Sequence, residues 1–176
     1  TVMKRSEVPK VKQKDGTLKE PTFLAGTWAF KVKRFPSGVL RKIKSRFCAR
    51  GDLQTDVDPH ETCAPVASWS SIRMLTITAL QRGWATKQID FSNAFVQAPM
   101  ARDVHISLPA MFGDTNGIPA NELCLKLNKS LCGLREAPKL WGDWLKKGLV
   151  KAGFKPSGFD PAVFFGHGMA SVVHVD

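Results

Sequence analysis

Lys87-Gln88-Ile89-Asp90-Phe91-Ser92-Asn93-Ala94-Phe95 is the stretch on which the fold turns. It sets one acidic residue at the end of an apolar-flanked segment, then passes at once to small residues and an aromatic. Acid is scarce around it, since Asp90 is the only carboxylate between Glu61 and Asp103. The last residues, Val172-Val173-His174-Val175-Asp176, repeat the pattern, with a β-branched run delivering a carboxylate to its end. Two acidic strand ends of this kind can share a divalent cation. The expectation is a chain whose other elements bring Asp90 and Asp176 together.

Around that stretch the charge is uneven. The 176 residues carry a net charge of +11, and residues 1–50 alone hold 14 Lys/Arg against 3 Asp/Glu, so the remainder is neutral. A one-sided basic excess implies a polyanionic partner, nucleic acid or an anionic membrane surface; the plainer reading is a solvated basic tail. The apolar fraction of 43% suits a globular domain. No apolar run approaches the ~18 residues of a membrane span, and the first residues are too charged for a signal peptide. The four cysteines, Cys48, Cys63, Cys124 and Cys132, show no CxxC spacing and read as buried free thiols in a reducing compartment. His60-x-x-Cys63 has no second pair to complete a zinc site.

Residues 1–22, with Lys4, Arg5, Lys10, Lys12, Lys14 and Lys19, read as a flexible basic leader or linker, with order beginning near Phe23 and one domain over 23–176. Thr27 to Arg34 and Val39 to Arg50 alternate apolar and basic residues around Phe35-Pro36-Ser37-Gly38, which predicts a β-hairpin. One face would pack, and the other would carry Lys31, Lys33, Lys44 and Arg46. That face suits phosphates, since Arg offers a fork of donors and Lys a point charge; it also suits an ordinary solvated hairpin. Ser68 caps a mostly buried helix that closes near Gly83. Strands are expected over Trp84–Phe91, Val104–Leu108 and Leu123–Leu127. A second helix runs from Ala137 to Ala152, opened by Pro138 and stopped by Gly153. A strand, a turn at Gly166-His167-Gly168 and a strand close the chain. The fold class is α+β, with helices packed on one side of a largely antiparallel sheet.

Four stretches resemble one family. Arg41-Lys42-Ile43-Lys44-Ser45-Arg46 through Arg50-Gly51, with Gln54, resembles the basic fingers of copia-type retrotransposon reverse transcriptases. Glu61-Thr62-Cys63-Ala64-Pro65-Val66, followed by Ser71-Ile72-Arg73, is similar to the next segment of that family. Gln88-Ile89-Asp90 through Ala94-Phe95 resembles its first catalytic motif. Lys129-Ser130-Leu131-Cys132-Gly133-Leu134-Arg135-Glu136-Ala137-Pro138, with Trp141, resembles its Lys-Ser-Leu-Tyr-Gly-Leu-Lys-Gln-Ala-Pro stretch. The resemblance runs from about Trp28 to Asp176.

It implies the palm and fingers of a right-hand polymerase, and an RNA-directed DNA polymerase that adds deoxynucleotides to a primer. Two Mg²⁺ ions, with Mn²⁺ as the alternative, would be held by Asp90, the Phe91 carbonyl and Asp176, the first Asp of a Val-Asp-Asp turn. Asp90 and Asp176 would be the catalytic pair. Nucleotide contacts would fall to Lys44, Arg46, Asn93, Ala94, Phe95, Cys132 and Gly133, with Phe95 against the sugar 2′ position. Without the resemblance, Phe95 reads equally as a core residue. Template and primer would meet Lys31, Lys33, Arg135 and Pro138. The implied partners are an RNA or DNA template with primer, deoxynucleoside triphosphates, and the rest of a Pol polyprotein, with integrase upstream and RNase H downstream. No membrane is implied; the expected location is a cytoplasmic virus-like particle with a nuclear stage. Cys132 departs from the family, which has Tyr there. The sequence stops at the first Asp of the turn, with no thumb or RNase H, so the expected site is incomplete within it. A basic nucleic-acid-binding relic without catalysis is the alternative. A ferredoxin-like metabolic domain would leave the basic hairpin and Asp90-Phe95 unexplained.

Overall fold

Gly38 sits at φ +83°, a conformation open to glycine without steric cost, and its N–H closes a turn onto the Phe35 carbonyl at 2.8 Å. That turn joins the two longest strands of the protein, seen in a computed structural model that describes residues 1–12, 16–55, 57–109, 112 and 116–174. In chain order the elements are β1 (Val2–Lys4), β2 (Val11–Lys12), β3 (Leu18–Lys19), β4 (Phe23–Leu24), β5 (Gly26–Arg34) and β6 (Leu40–Ala49). Then come α1 (Trp69–Gln81), β7 (His105–Ser107), β8 (Leu123–Lys126), α2 (Ala137–Lys151), β9 (Lys155–Pro156), β10 (Val163–Gly166) and β11 (Met169–Val172). The class is mixed α and β. The strands divide among separate sheets rather than forming one. β1-β8-β7-β4 is the four-stranded sheet and β11-β10-β9 a three-stranded one, while β2–β3 and β5–β6 pair by themselves. All these pairings are antiparallel except β4 with β7.

The core forms where the four-stranded sheet meets the base of the long hairpin and the start of α2. Leu24, Ala49, Val104, Ile106, Leu134 and Ala137 are buried there, and Phe47, Phe95, Met100, Leu125, Leu127 and Leu131 pack against them. Ile106 is fully buried. Burying such a side chain contributes about 1.5–3 kcal/mol, so this cluster holds sheet, hairpin foot and α2 together. The β6 end is also tied by hydrogen bonds: Ala49 N–H donates to the Cys132 carbonyl and Arg50 N–H to the Ala25 carbonyl, both at 2.8 Å.

Both helices end as their sequences dictate. The Ser68 hydroxyl accepts from the Ser71 N–H at 3.1 Å, which caps α1. Pro138 lies in the first turn of α2, where its missing N–H costs nothing. Gly153, at φ +90°, stops that helix, with Gly153 N–H bonded to the Val150 carbonyl and Phe154 N–H to the Leu149 carbonyl. This is the glycine-terminated end in which two leftover carbonyls are satisfied.

Four expectations are corrected. The described residues of 1–22 are not a loose leader before Phe23: β1 pairs with β8, and Arg5 donates to the Leu123 carbonyl and the Ser107 hydroxyl while stacking on Phe23. A short basic segment can be ordered because an existing sheet edge offers it partners. Trp84–Phe91 forms no strand. Its alternation puts Lys87 on the side of Ile89 and Phe91, and Trp84 on the side of Gln88 and Asp90, so neither face is apolar enough to dock. Helix α1 is not mostly buried; Trp69, Met74, Ile77 and Leu80 are exposed and only Ala79 is buried. The β5–β6 hairpin packs one face only at its base, because no layer covers Phe30, Val32 or Ile43.

Candidate nucleic-acid interface

The register of the long hairpin decides which side chains share a face. Ala29 lies opposite Arg46, Lys31 opposite Lys44 and Lys33 opposite Lys42. Side chains alternate along a strand, so Lys31, Lys33, Lys42, Lys44 and Arg46 stand on one side. Trp28, Phe30, Val32, Ile43 and Phe47 stand on the other, with Trp28 stacked on Phe30 at 6.3 Å and tilted against Phe47 at 5.3 Å. The four cations named from the sequence therefore do converge.

Like charges crowded onto one face of a hairpin repel. The effect is visible at Lys44, whose ammonium pKa is pushed below its ordinary value, first by Arg46, then by burial and by Lys33 and Lys42. Asp90 opposes this shift and raises the Lys44 pKa. The fold thus brings the exposed Asp90 within electrostatic reach of the basic face, although Trp84–Phe91 is not a strand. A polyanion laid on this face would relieve the crowding that the protein itself leaves standing.

Beyond Asp90 the chain turns sharply. Asn93 takes the left-handed conformation at φ 52°, ψ 46°, which asparagine tolerates better than most residues, and a 3-10 turn follows over Ala94–Gln97. The Gln97 side chain donates to the Ser92 carbonyl at 2.9 Å and fixes the turn. Phe91 meets Trp141 of α2 edge to face at 5.2 Å. Phe95 is half-buried against the core cluster, so its ring serves packing whatever else it does.

The Cys132–Pro138 segment lies beside the hairpin base. Gly133 is at φ +89°, and a Cβ there would run into the Ala49 backbone. Only glycine fits that approach. Gly51 packs against the Gly133 carbonyl in the same way. Cys132 is half-buried close to Cys48; burial pushes the Cys48 thiol pKa up, and Cys132 adds to the rise. All four cysteines are free, but only Cys124 is buried and Cys63 is exposed, so the expectation of buried thiols is corrected. Pro138 is half-buried in the first turn of α2, and Arg135 is exposed.

Sequence reasoning missed one group. Gln54, Glu136 and Arg102 form a network beneath Arg135, with Gln54 and Glu136 buried. Two buried polar residues of opposite hydrogen-bonding need were the only signal, and they lie 82 positions apart.

As for a metal, Asp176 lies outside the described residues. Among the described residues no group of three or more His, Cys, Asp and Glu side chains converges. An exposed carboxylate at Asp90 and the Phe91 carbonyl are the oxygen donors that a hard cation takes, and they fit one side of such a site. Among the described residues no helix is long and apolar enough to cross a membrane.

Comparison with known proteins matches residues 17–174 to the family described as reverse transcriptase (RNA-dependent DNA polymerase). The chain is similar to the retrovirus-related Pol polyprotein from transposon RE1 of Arabidopsis thaliana, 34% identical over 155 residues, covering 88% of this chain and 10% of the relative. It is similar to the corresponding polyprotein from transposon RE2 of the same plant, 32% identical over 144 residues, covering 81% and 10%. The Pol polyprotein from transposon TNT 1-94 of Nicotiana tabacum is 28% identical over 160 residues, covering 87% and 12%. The chain thus spans about a tenth of the length of these relatives. No solved structure matches.

Proposed function

Because the chain belongs to the reverse transcriptase family, we propose that it is the fingers and palm of an RNA-directed DNA polymerase within a copia-type Pol polyprotein. In this reading the β5–β6 hairpin is the fingers element, and the turn Asp90–Gln97 together with Cys132–Pro138 is the face of the palm turned toward it. The observation that carries the reading is the register of the hairpin, which sets Lys31, Lys33, Lys42, Lys44 and Arg46 on one face, with Asp90 near enough to raise the Lys44 pKa. Nucleotidyl transfer needs cations for a triphosphate and a carboxylate beside them.

Asp90, the Phe91 carbonyl and Asp176 would hold Mg²⁺, which when bound neutralises phosphate charge and activates the primer hydroxyl. Lys44 and Arg46 pair with the phosphates of the incoming deoxynucleotide, the Arg as a two-pronged donor. The N–H groups of Asn93 and Ala94 sit at a left-handed turn of the kind that cradles anions. Phe95 limits space at the sugar, its ring held by the core behind it. Cys132 and Gly133 lie under the nucleotide, and Lys31, Lys33, Arg135 and Pro138 meet template and primer. The remaining partners are the other segments of the polyprotein.

Primer extension on an RNA template, with a polyprotein that contains this chain, tests the reading. Asp90→Asn is expected to reduce Mg²⁺-dependent extension to background while leaving primer–template binding intact. Extension by that variant at the wild-type rate would overturn the role of Asp90. A wild-type polyprotein that binds primer–template tightly without extending it would point to a binding relic.

A further inference from the structure

Arg135 is exposed, yet it is held from beneath by a buried residue. Its backbone N–H donates to Gln54 Oε1 at 2.9 Å, and its Nη1 donates to the Gln54 carbonyl at 3.0 Å. Gln54 is 2% exposed and has both ends of its amide engaged. Its Nε2 donates to Glu136 Oε2 at 3.0 Å. The other oxygen of Glu136, a residue 5% exposed, accepts from Arg102 Nε at 3.1 Å and Nη2 at 2.8 Å. Each buried polar atom in this chain of contacts fixes the next, so the orientation of Gln54 is determined rather than free.

The consequence falls on the arginine. One nitrogen of its guanidinium is anchored, and among the described residues the Nε and Nη2 edge has no protein acceptor. An arginine whose rotamer is already fixed loses less conformational freedom when its fork closes on a phosphate. The position is also apt. Arg135 follows the Gly133 turn that lies on Ala49, at the foot of the strand carrying Lys44 and Arg46.

We propose that Gln54, braced by Glu136 and Arg102, is a positioning residue that presents the Arg135 guanidinium to a backbone phosphate of the bound nucleic acid. This rests on the nucleic-acid reading above. It adds a contact on the palm side that works with the hairpin cations, and it gives buried Gln54 a role in binding without any contact of its own.

The test is fluorescence anisotropy of this chain with a labelled single-stranded DNA oligonucleotide across a salt series. One phosphate contact on a single strand adds about 0.7 to the slope of log affinity against log salt. Arg135→Met is expected to make the slope shallower by about that amount and to weaken binding about threefold near 0.1 M salt. Gln54→Ala, which changes no charge, is expected to weaken binding to a similar degree. Gln54→Ala keeps the carbonyl that receives Nη1 but frees the Arg135 N–H from the amide oxygen, so the Gln54 side chain acts only through the placement of Arg135 and the double variant is expected to bind no worse than Arg135→Met alone. If Gln54→Ala does not fold, as judged by its thermal transition, Gln54→Asn takes its place: one methylene shorter, it keeps an amide but cannot span both partners.

Additive losses in the double variant would make Gln54 merely structural and overturn the proposal. So would wild-type binding by Arg135→Met while alanines at Lys31, Lys33, Lys44 and Arg46 weaken it, a result that leaves the nucleic-acid reading standing. Unchanged binding by all of these variants would sink that reading itself.

Discussion

Two hairpins in this protein are written in the same way and used in opposite ways. β5–β6 and β10–β11 both pair antiparallel around a turn that ends in a glycine with positive φ, Gly38 in one and Gly168 in the other. In the short hairpin Val163 and Phe164 are buried, and the His167 ring reaches back to the Ala152 carbonyl at 2.7 Å. In the long one Phe30, Val32 and Ile43 are 68%, 53% and 65% exposed, and only the foot is anchored, through Phe47 and Ala49. A turn with a glycine at positive φ between two extended runs therefore specifies that a hairpin forms; what covers it decides whether it stabilises the protein or reaches out from it. An isolated two-stranded ribbon is marginal in water, so the long hairpin owes its order to its foot.

The contrast breaks most readily at the aromatic positions. Phe164→Ala should destabilise the protein by about 3–5 kcal/mol, the usual cost of emptying a buried aromatic site. Phe30→Ala should change stability by less than about 0.5 kcal/mol, as exposed substitutions do. Urea denaturation of the two variants measures both, and equal losses would show that the long hairpin is covered after all.

The short hairpin is also tied to α1 through acid. Asp160 accepts from the Ser71 hydroxyl at 2.6 Å, the Ser68 N–H at 3.0 Å and the Ala162 N–H at 3.0 Å. These bonds, Ser71 first, lower its pKa to about 2. The carboxylate is favoured in the folded state, so its contribution is present above the unfolded carboxylate value and is lost as pH falls from about 4 toward 2. Thermal denaturation from pH 5 to pH 2 should show a decline in that window that is smaller in Asp160→Asn. A decline of equal size in the variant would remove Asp160 from the account. No comparable carboxylate ties the tip of the long hairpin among the described residues, so its variants should leave this acid profile unchanged.

Much of this was legible in the residues. Phe35-Pro36-Ser37-Gly38 between alternating runs named the long hairpin, and the same alternation placed Lys31, Lys33, Lys44 and Arg46 together. Ser68, Pro138 and Gly153 bounded the helices because caps and stops are local chemistry. What the sequence hid depends on distant partners. β1 is three residues long and exists only because β8 offers an edge, Val2 pairing with Leu125. Trp84–Phe91 looked extended and pairs with no strand. The exposure of α1 could not be read from its apolar stripe, since a stripe says which face wants covering and not whether anything covers it. Gln54, Glu136 and Arg102 carry no local pattern at all; their meeting is a product of the fold.

The central claim is that the charged face of the long hairpin, and not the packed remainder of the chain, makes the main contact with nucleic acid. Affinity for an RNA–DNA primer–template, measured between 0.05 and about 0.2 M salt, tests it most directly. Wild type should lose affinity steeply, and the variant with alanine at Lys31 and Lys33, the hairpin cations that meet template and primer, should bind about tenfold more weakly at the lower salt with a flatter slope. Equal affinity and equal slope in the two proteins would contradict the account.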